Sequence, residues 1–216
     1  MIKLYYLILT FLRIIRYLLS DTKRYSDILI EVLKIKPRKI VEIGIYKGKR
    51  SKEIIQAARV FNKDIEFYGF DLFEMIKENI IKEELSKKPL SKKEVYENLS
   101  EFCKVKLFKG YTNFTLPKLK NVKADFIFID GGHRVKTIQS DWKNCLKLIK
   151  KGTIIIFDDY YLDDKKLIKY FGCNKIVNSI SDKKFEKKLF NKTDKFSHQN
   201  KGLKIKMFYL KSQKHG

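Results

Sequence analysis

Two stretches of this chain end in the same way. FIFIDGGH (residues 126–133) runs Phe126, Ile127, Phe128 and Ile129 into Asp130, two glycines and His133. TIIIFDDYY (153–161) runs Ile154, Ile155, Ile156 and Phe157 into Asp158 and Asp159. A strand with one wet face alternates apolar and polar residues. An unbroken apolar run instead marks a strand buried on both faces, as in a parallel sheet. KIVEIG (39–44), EFYGFD (66–71) and VKLFKG (105–110) read as three further strands.

Helical segments alternate with these strands. SDILIEVLKIK starts at Ser26 as N-cap and is stopped by Pro37. SKEIIQAARVF (51–61) is a helix, residues 73–101 form a charged helical segment broken at Pro89, and 137–149 carry helical spacing through Ile138, Trp142, Cys145 and Ile149. Further on, LDDKKLIKYF reads as a helix, NKIVNSI as a sixth strand and LKIKMFYLK (203–211) as a seventh. Right-handed crossovers then give an α/β, Rossmann-like, doubly wound sheet. Such sheets bind ligands at the carboxyl ends of their strands. Glu42, Asp71, Asp130, Asp158 and Asp159 all lie at that edge, and a random scatter of acid would not end four strands this way.

At 216 residues the chain is long enough for one domain with a sizeable core. Its 48 Lys and Arg against 25 Asp and Glu leave a net charge of +23, but only seven of the basic residues are Arg. Nucleic-acid readers lean on Arg for bidentate contacts, so nucleic acid is the poorer partner. The evenly spread Lys reads either as a coding bias that fills solvated positions or as attraction to an anionic surface or substrate. Cys103, Cys145 and Cys173 lie far apart without a CxxC pair, which suits a reducing cytoplasm rather than a zinc or disulfide framework.

The first 25 residues stand apart from the domain expected over 26–216. MIKLYYLILTFLRIIRYLLS is apolar over 4–19 but is interrupted by Arg13 and Arg16, too short to span a bilayer, and lacks a small-residue cleavage site. On a helix, Lys3, Thr10, Arg13, Arg16 and Ser20 share one face. Such a helix either lies in a membrane interface or packs on the domain or on a second subunit, as in a homodimer.

Each chemical motif has two readings. Glu42, Gly44 and Gly48 either hold a ligand at a helix N-terminus or make an ordinary strand–helix turn. Asp71, 29 residues after Glu42, either accepts ribose hydroxyls or caps a helix. Gly110 and Tyr111 either border an adenine ring or form a turn. Asp130, Asp158 and Asp159 either share a hard divalent cation, which relieves their mutual repulsion, or serve as caps and turn residues. His133 is either a base for a substrate hydroxyl or a helix-start residue bonding backbone or cofactor.

VEIGIYKGKRS, FYGFDLFE, LFKGYTNFTLP, FIFIDGGHRVKTIQSDW and GTIIIFDDYY, in this order, resemble the class I S-adenosylmethionine (SAM)-dependent methyltransferases over about residues 26–211. The nearest branch contains macrocin-type sugar O-methyltransferases and cephalosporin-hydroxylase-like proteins. The resemblance implies a seven-stranded sheet whose last strand is antiparallel. It implies Glu42, Gly44, Gly48 and Ser51 around the methionine part of SAM, Asp71 on the ribose, and Gly110 and Tyr111 beside the adenine. Asp130, Asp158 and Asp159 match the Mg²⁺ ligands of metal-dependent members, with Asp130 also bordering the cofactor and the reacting hydroxyl. The implied activity is Mg²⁺-assisted O-methylation of a sugar, glycan or secondary metabolite. His133 would take the proton and the 73–101 segment would act as lid. The sequence departs from the pattern at Gly132 and Tyr111, where some relatives carry acids. Two other readings are a family member with non-methylating chemistry, and a non-catalytic protein on a membrane or nucleic-acid surface. The retained Asp71, Asp130, Asp158 and Asp159 argue against the second.

Overall fold

The computed structural model describes residues 2–198 and 201–213. Five parallel strands make the centre: β1 (Lys39–Ile43), β2 (Glu66–Asp71), β3 (Lys104–Lys109), β4 (Phe126–Ile129) and β5 (Ile154–Tyr161). Three more follow: β6 (Phe185–Leu189), β7 (Asp194–His198) and β8 (Lys201–Ser212). The order across the sheet is β3-β2-β1-β4-β5-β8-β6, and β7 pairs with β8 off this path. β8 runs antiparallel to β5, β6 and β7. The expected doubly wound sheet with an antiparallel last strand is therefore the observed one, extended by a β7–β8 hairpin.

The apolar runs are continuous because alternate residues feed two separate cores. Phe126 and Phe128 point into one and Ile127 and Ile129 into the other. Each such fully buried side chain contributes roughly 1.5–3 kcal/mol. The first core is covered by α1 (Ile2–Leu18), α2 (Tyr25–Ile35), α3 (Lys49–Ala58) and α5 (Lys92–Ser100). The second is covered by α7 (Val135–Cys145) and α9 (Asn174–Ser179). Short α4 (Glu78–Glu83), α6 (Thr112–Thr115) and α8 (Lys165–Tyr170) complete the helices named here.

Two local expectations are corrected. NKIVNSI is not a strand; it forms α9, where Ile176 and Val177, with Ile180 just past the helix end, pack on the second core. Packing overrides the β preference of these branched residues. The sixth strand is FEKKL, whose exposed Glu186 and Lys188 belong to a sheet edge. Ser26 is not the N-cap of α2: the helix begins at Tyr25, and the Ser26 hydroxyl donates to the Lys23 carbonyl at 2.7 Å.

α1 packs on the domain through its more polar side. Tyr6, Thr10, Ile14 and Tyr17 are its buried residues. Arg16 Nη2 meets Glu53 Oε1 on α3 at 2.8 Å, and the Tyr17 hydroxyl donates to Glu53 Oε2. Arg50 Nη1 also donates to Glu53 Oε2, at 3.0 Å. Glu53 is buried, so these partners are what allow its charge to sit there.

Candidate active site

The turn after β1 is shaped by two glycines and fastened by Asp71. Gly44 has φ +87°, and a Cβ there would lie 1.9 Å from the Asp130 carbonyl oxygen. No residue with a side chain fits without moving β4. Gly48, at φ +73°, supplies the left-handed residue from which α3 starts. Asp71 Oδ2 accepts from the Ile45 and Tyr46 amides at 2.7 and 2.9 Å, and Oδ1 accepts from Phe73 N at 2.9 Å. Glu42 is buried with Oε2 unpartnered, and burial pushes its carboxyl up to about 8. Ser51 Oγ, on the first turn of α3, is buried and also unpartnered.

These elements border a cavity of about 190 Å³ lined by Phe70, Asp71, Gly110, Tyr111 and Asp141, among others. Asp141 on α7 escaped the motif-based reading. It is buried and accepts from the Thr112 hydroxyl through Oδ1. Its Oδ2 has no partner, and burial pushes it up to about 7.

The acidic cluster depends on a bulge. The β5–β8 register shifts between Phe157 and Tyr160, and Asp159 adopts φ +60°. Asp tolerates this left-handed conformation better than most residues. The bulge lets the consecutive Asp158 and Asp159 face one cleft with Asp130, where strict alternation would turn them to opposite faces.

The cluster's counter-charges are side chains. Arg24, between α1 and α2, reaches Asp158 with Nε to Oδ1 at 2.7 Å and Nη2 to Oδ2 at 2.8 Å. It also bonds Asp194 through Nη1, and its backbone N donates to Asp194 Oδ1 at 3.0 Å. The Tyr25 hydroxyl is 3.3 Å from Asp158 Oδ2. His133 Nε2 lies 3.1 Å from Asp159 Oδ2, and its Nδ1 bonds the Glu84 carbonyl. The pKa values follow from these contacts. Burial raises Asp158, but the Arg24 charge and its hydrogen bonds outweigh it and hold Asp158 below the usual carboxylate range. Burial and the neighbouring Asp158 and Asp159 raise Asp130 well above that range. Asp159 is raised to about 6, burial outweighing His133. Burial lowers His133, but Asp159 and the Glu84 carbonyl more than offset it, so the imidazole holds its proton more firmly than usual.

The segment between β2 and α5 lies over this edge. Glu84 Oε1 accepts from the Thr137 hydroxyl at 2.6 Å and Oε2 from Arg134 N at 2.8 Å. Leu90 N donates to the Tyr46 carbonyl at 3.1 Å. A Cβ on Gly132 would sit 2.8 Å from Glu84 Oε2. Glycine at 132 therefore leaves room for an acid delivered by the covering segment.

A divalent cation does not fit the cluster as folded. Both Asp158 oxygens are taken by Arg24, and Asp159 is paired with His133. Among the described residues no group of three or more His, Cys, Asp or Glu side chains is arranged to hold a metal. The structure brings Asp130, Asp158 and Asp159 together as expected, but it meets their charge with a guanidinium and an imidazole.

A second cavity of about 680 Å³ opens over the cluster. It shares Gly44, Tyr46, Ser86, Lys87, Asp130 and Gly131 with the smaller one. Its other linings include Lys47, Lys49, Arg50 and Lys195.

Residues 41–160, more than half of the chain, match the family model described as a methyltransferase domain. The chain belongs to this methyltransferase family. The matched span runs from β1 through the Asp158–Asp159 bulge and excludes Arg24 and Asp194. Solved structures show the same fold. The O-methyltransferase TomG from Streptomyces achromogenes, in complex with SAM, is 16% identical with TM-score 0.60, covering 88% of this methyltransferase and 80% of that chain. The O-methyltransferase from Bacillus cereus, in complex with SAH, is 17% identical with TM-score 0.57, covering 89% and 82%. The SAH-bound Podospora anserina methyltransferase PaMTH1 is 18% identical with TM-score 0.56, covering 90% and 80%. No curated protein matches the chain.

Proposed function

We propose that this methyltransferase binds SAM in the smaller cavity and methylates a hydroxyl of a sugar, glycan or related metabolite in the larger one. The observation that carries the reading is the junction of the two cavities at Gly44 and Asp130. A donor in one and an acceptor in the other would meet there, and holding two reactants in line supplies much of a displacement's rate. The donor set suits SAM. Asp71 keeps one lone-pair direction beyond the three amides it holds, available to a ribose hydroxyl. The unpartnered Glu42 Oε2, which lines the larger cavity beside the shared Gly44, suits the polar methionine end. Gly110, Tyr111 and the free Asp141 Oδ2 border the adenine side. When bound, SAM supplies a methyl group made electrophilic by its sulfonium.

The chain's own residues then handle the acceptor. His133 and Asp159 form one proton-accepting pair. Because Nδ1 is held on a carbonyl and Nε2 on Asp159 Oδ2, the proton of the acceptor hydroxyl goes to the Asp159 carboxylate, which His133 orients and charge-balances. Asp130, whose carboxyl burial and the neighbouring Asp158 and Asp159 raise well above the usual range, faces the same junction. Arg24 keeps Asp158 ionised and the floor charge balanced, so no metal step is invoked. The lysines lining the larger cavity favour an acceptor that carries negative charge.

Calorimetric titration with SAM tests the donor site. Micromolar-range binding to wild type, weakened at least tenfold in Asp71→Asn while circular dichroism shows that the variant stays folded, is the expected result; the lost amide acceptor lowers its melting temperature. A folded wild type that releases no heat with SAM refutes the reading. Transfer of labelled methyl to a panel of acidic and neutral sugars then tests the acceptor.

A further inference from the structure

The N-terminal helix leaves an apolar face uncovered, and its place in the fold says what kind of surface covers it. Packing through Tyr6, Thr10, Ile14 and Tyr17 turns the opposite side outward. Leu4, Ile8, Phe11, Leu12, Ile15 and Leu19 are each more than half exposed. At 100° per residue they fall within one continuous strip of the helix surface. An ordinary surface helix does the reverse, burying its apolar face and wetting its polar one. Here the polar side is committed to the Arg16–Glu53 and Tyr17–Glu53 contacts with α3, so rotation would strand buried charge. The apolar strip is held outward by the fold, and a strip of this size marks an interaction surface.

We propose that this strip docks the protein, lying flat, on an anionic lipid surface. Three observations select that partner. α1 has 17 residues, and no described helix is long and apolar enough to cross a membrane. With one side bound to α3, α1 can only lie in the interface plane. Residues 1–20 contain no Asp or Glu; Arg16 is paired with Glu53, and exposed Lys3 and Lys23 stand near the two ends of the helix against a single exposed acid, Asp21. The whole chain carries +23, so a second copy would bring like charge to the strip, whereas anionic headgroups bring the opposite. α1 also runs directly into Asp21, Thr22 and Arg24, which line the larger cavity. Docking therefore holds the cavity rim near the headgroups.

The test is co-sedimentation of the full chain, without SAM, with vesicles of phosphatidylcholine alone or mixed with phosphatidylglycerol. Ile8→Ser/Leu12→Ser/Ile15→Ser is the comparison variant, because those side chains face away from the domain. Wild type binds the mixed vesicles at least tenfold better than neutral ones, and binding falls as salt rises. The triple variant keeps the wild-type melting temperature and loses binding at least tenfold. Equal binding by wild type and variant, or none by wild type, overturns the proposal. So does a wild-type dimer in light scattering that the triple variant converts to monomer, since the strip would then be covered by a second copy.

Discussion

Replacing Arg24 with Gln removes the cation that the fold places between Asp158 and Asp194. The Arg24 side chain is only 12% exposed and its two acidic partners 3% each. Solvent therefore does little to screen what the substitution uncovers. Breaking a buried ion pair by removing one partner costs about 3–5 kcal/mol, since the other charge stays behind. In a domain of this size each kcal/mol shifts the melting temperature by roughly 2–4 °C, so Arg24→Gln is expected to melt about 6–20 °C lower. Arg24→Lys keeps the charge but loses the paired Nε and Nη2 contacts, and is expected to recover only part of the loss. Calorimetric unfolding at neutral pH measures both. The same variant strips the guanidinium from both Asp158 oxygens beside Asp130 and Asp159, leaving only the Asp159 amide on Oδ1 and the Tyr25 hydroxyl on Oδ2. Manganese titration followed by electron paramagnetic resonance is expected to show no site in wild type and one in Arg24→Gln. A stability loss below about 1 kcal/mol refutes the buried-pair argument. A wild type that binds manganese as tightly as the variant refutes the assignment of Arg24 as the cluster's counter-charge.

Four further outcomes follow from the geometry. Glu42 is held near 8 against 4.5 for a free side chain. Below 4.5 both states are protonated. Between 4.5 and 8 only the unfolded chain ionises and folding loses stability with rising pH; above 8 the penalty is constant. Glu42→Gln should flatten this decline, which amounts to at most on the order of 5 kcal/mol, in denaturant melts from pH 4.5 to 8.5. Gly44→Ala, with its Cβ driven against the Asp130 carbonyl at positive φ, should destabilise by about 2 kcal/mol or more in thermal melts and abolish SAM binding. His133→Gln should lower the methyl-transfer rate by roughly 10²–10⁴-fold while leaving the SAM dissociation constant within a few-fold. Glu84→Ala removes the holds on Arg134 N and Thr137 and should raise KM more than it lowers kcat; the reverse pattern would show that Glu84 does not act through the covering segment.

The sheet and the acidic edge were legible because their signals are local. Phe126 to Ile129 and Ile154 to Phe157 are apolar enough that only a two-sided core accommodates them, and Gly44, Asp71 and Asp130 follow their strands at fixed offsets. NKIVNSI was misread because a seven-residue run rich in β-branched residues fits a strand and a one-sided helix equally well; contact with the second core decides. Arg24 and Asp194 were invisible to motif reading for a different reason: they lie 170 residues apart and meet only across the folded edge. A trace was present all the same. In a chain where Lys dominates, the seven Arg positions include 24 and 50, which line the larger cavity, and 16, which holds Glu53. A planar, permanently charged fork is needed where geometry is exacting, and a flexible ammonium suffices elsewhere. The amphipathic character of α1 was equally plain, yet which side it presents was not, because that depends on Glu53 waiting on another helix. Local patterning specifies which segments are strands or helices and which carry acid. Pairings between distant residues, such as Arg24 with Asp158 or Tyr17 with Glu53, exist only once the chain is closed, and they set the charge of the site and the outward face of the helix.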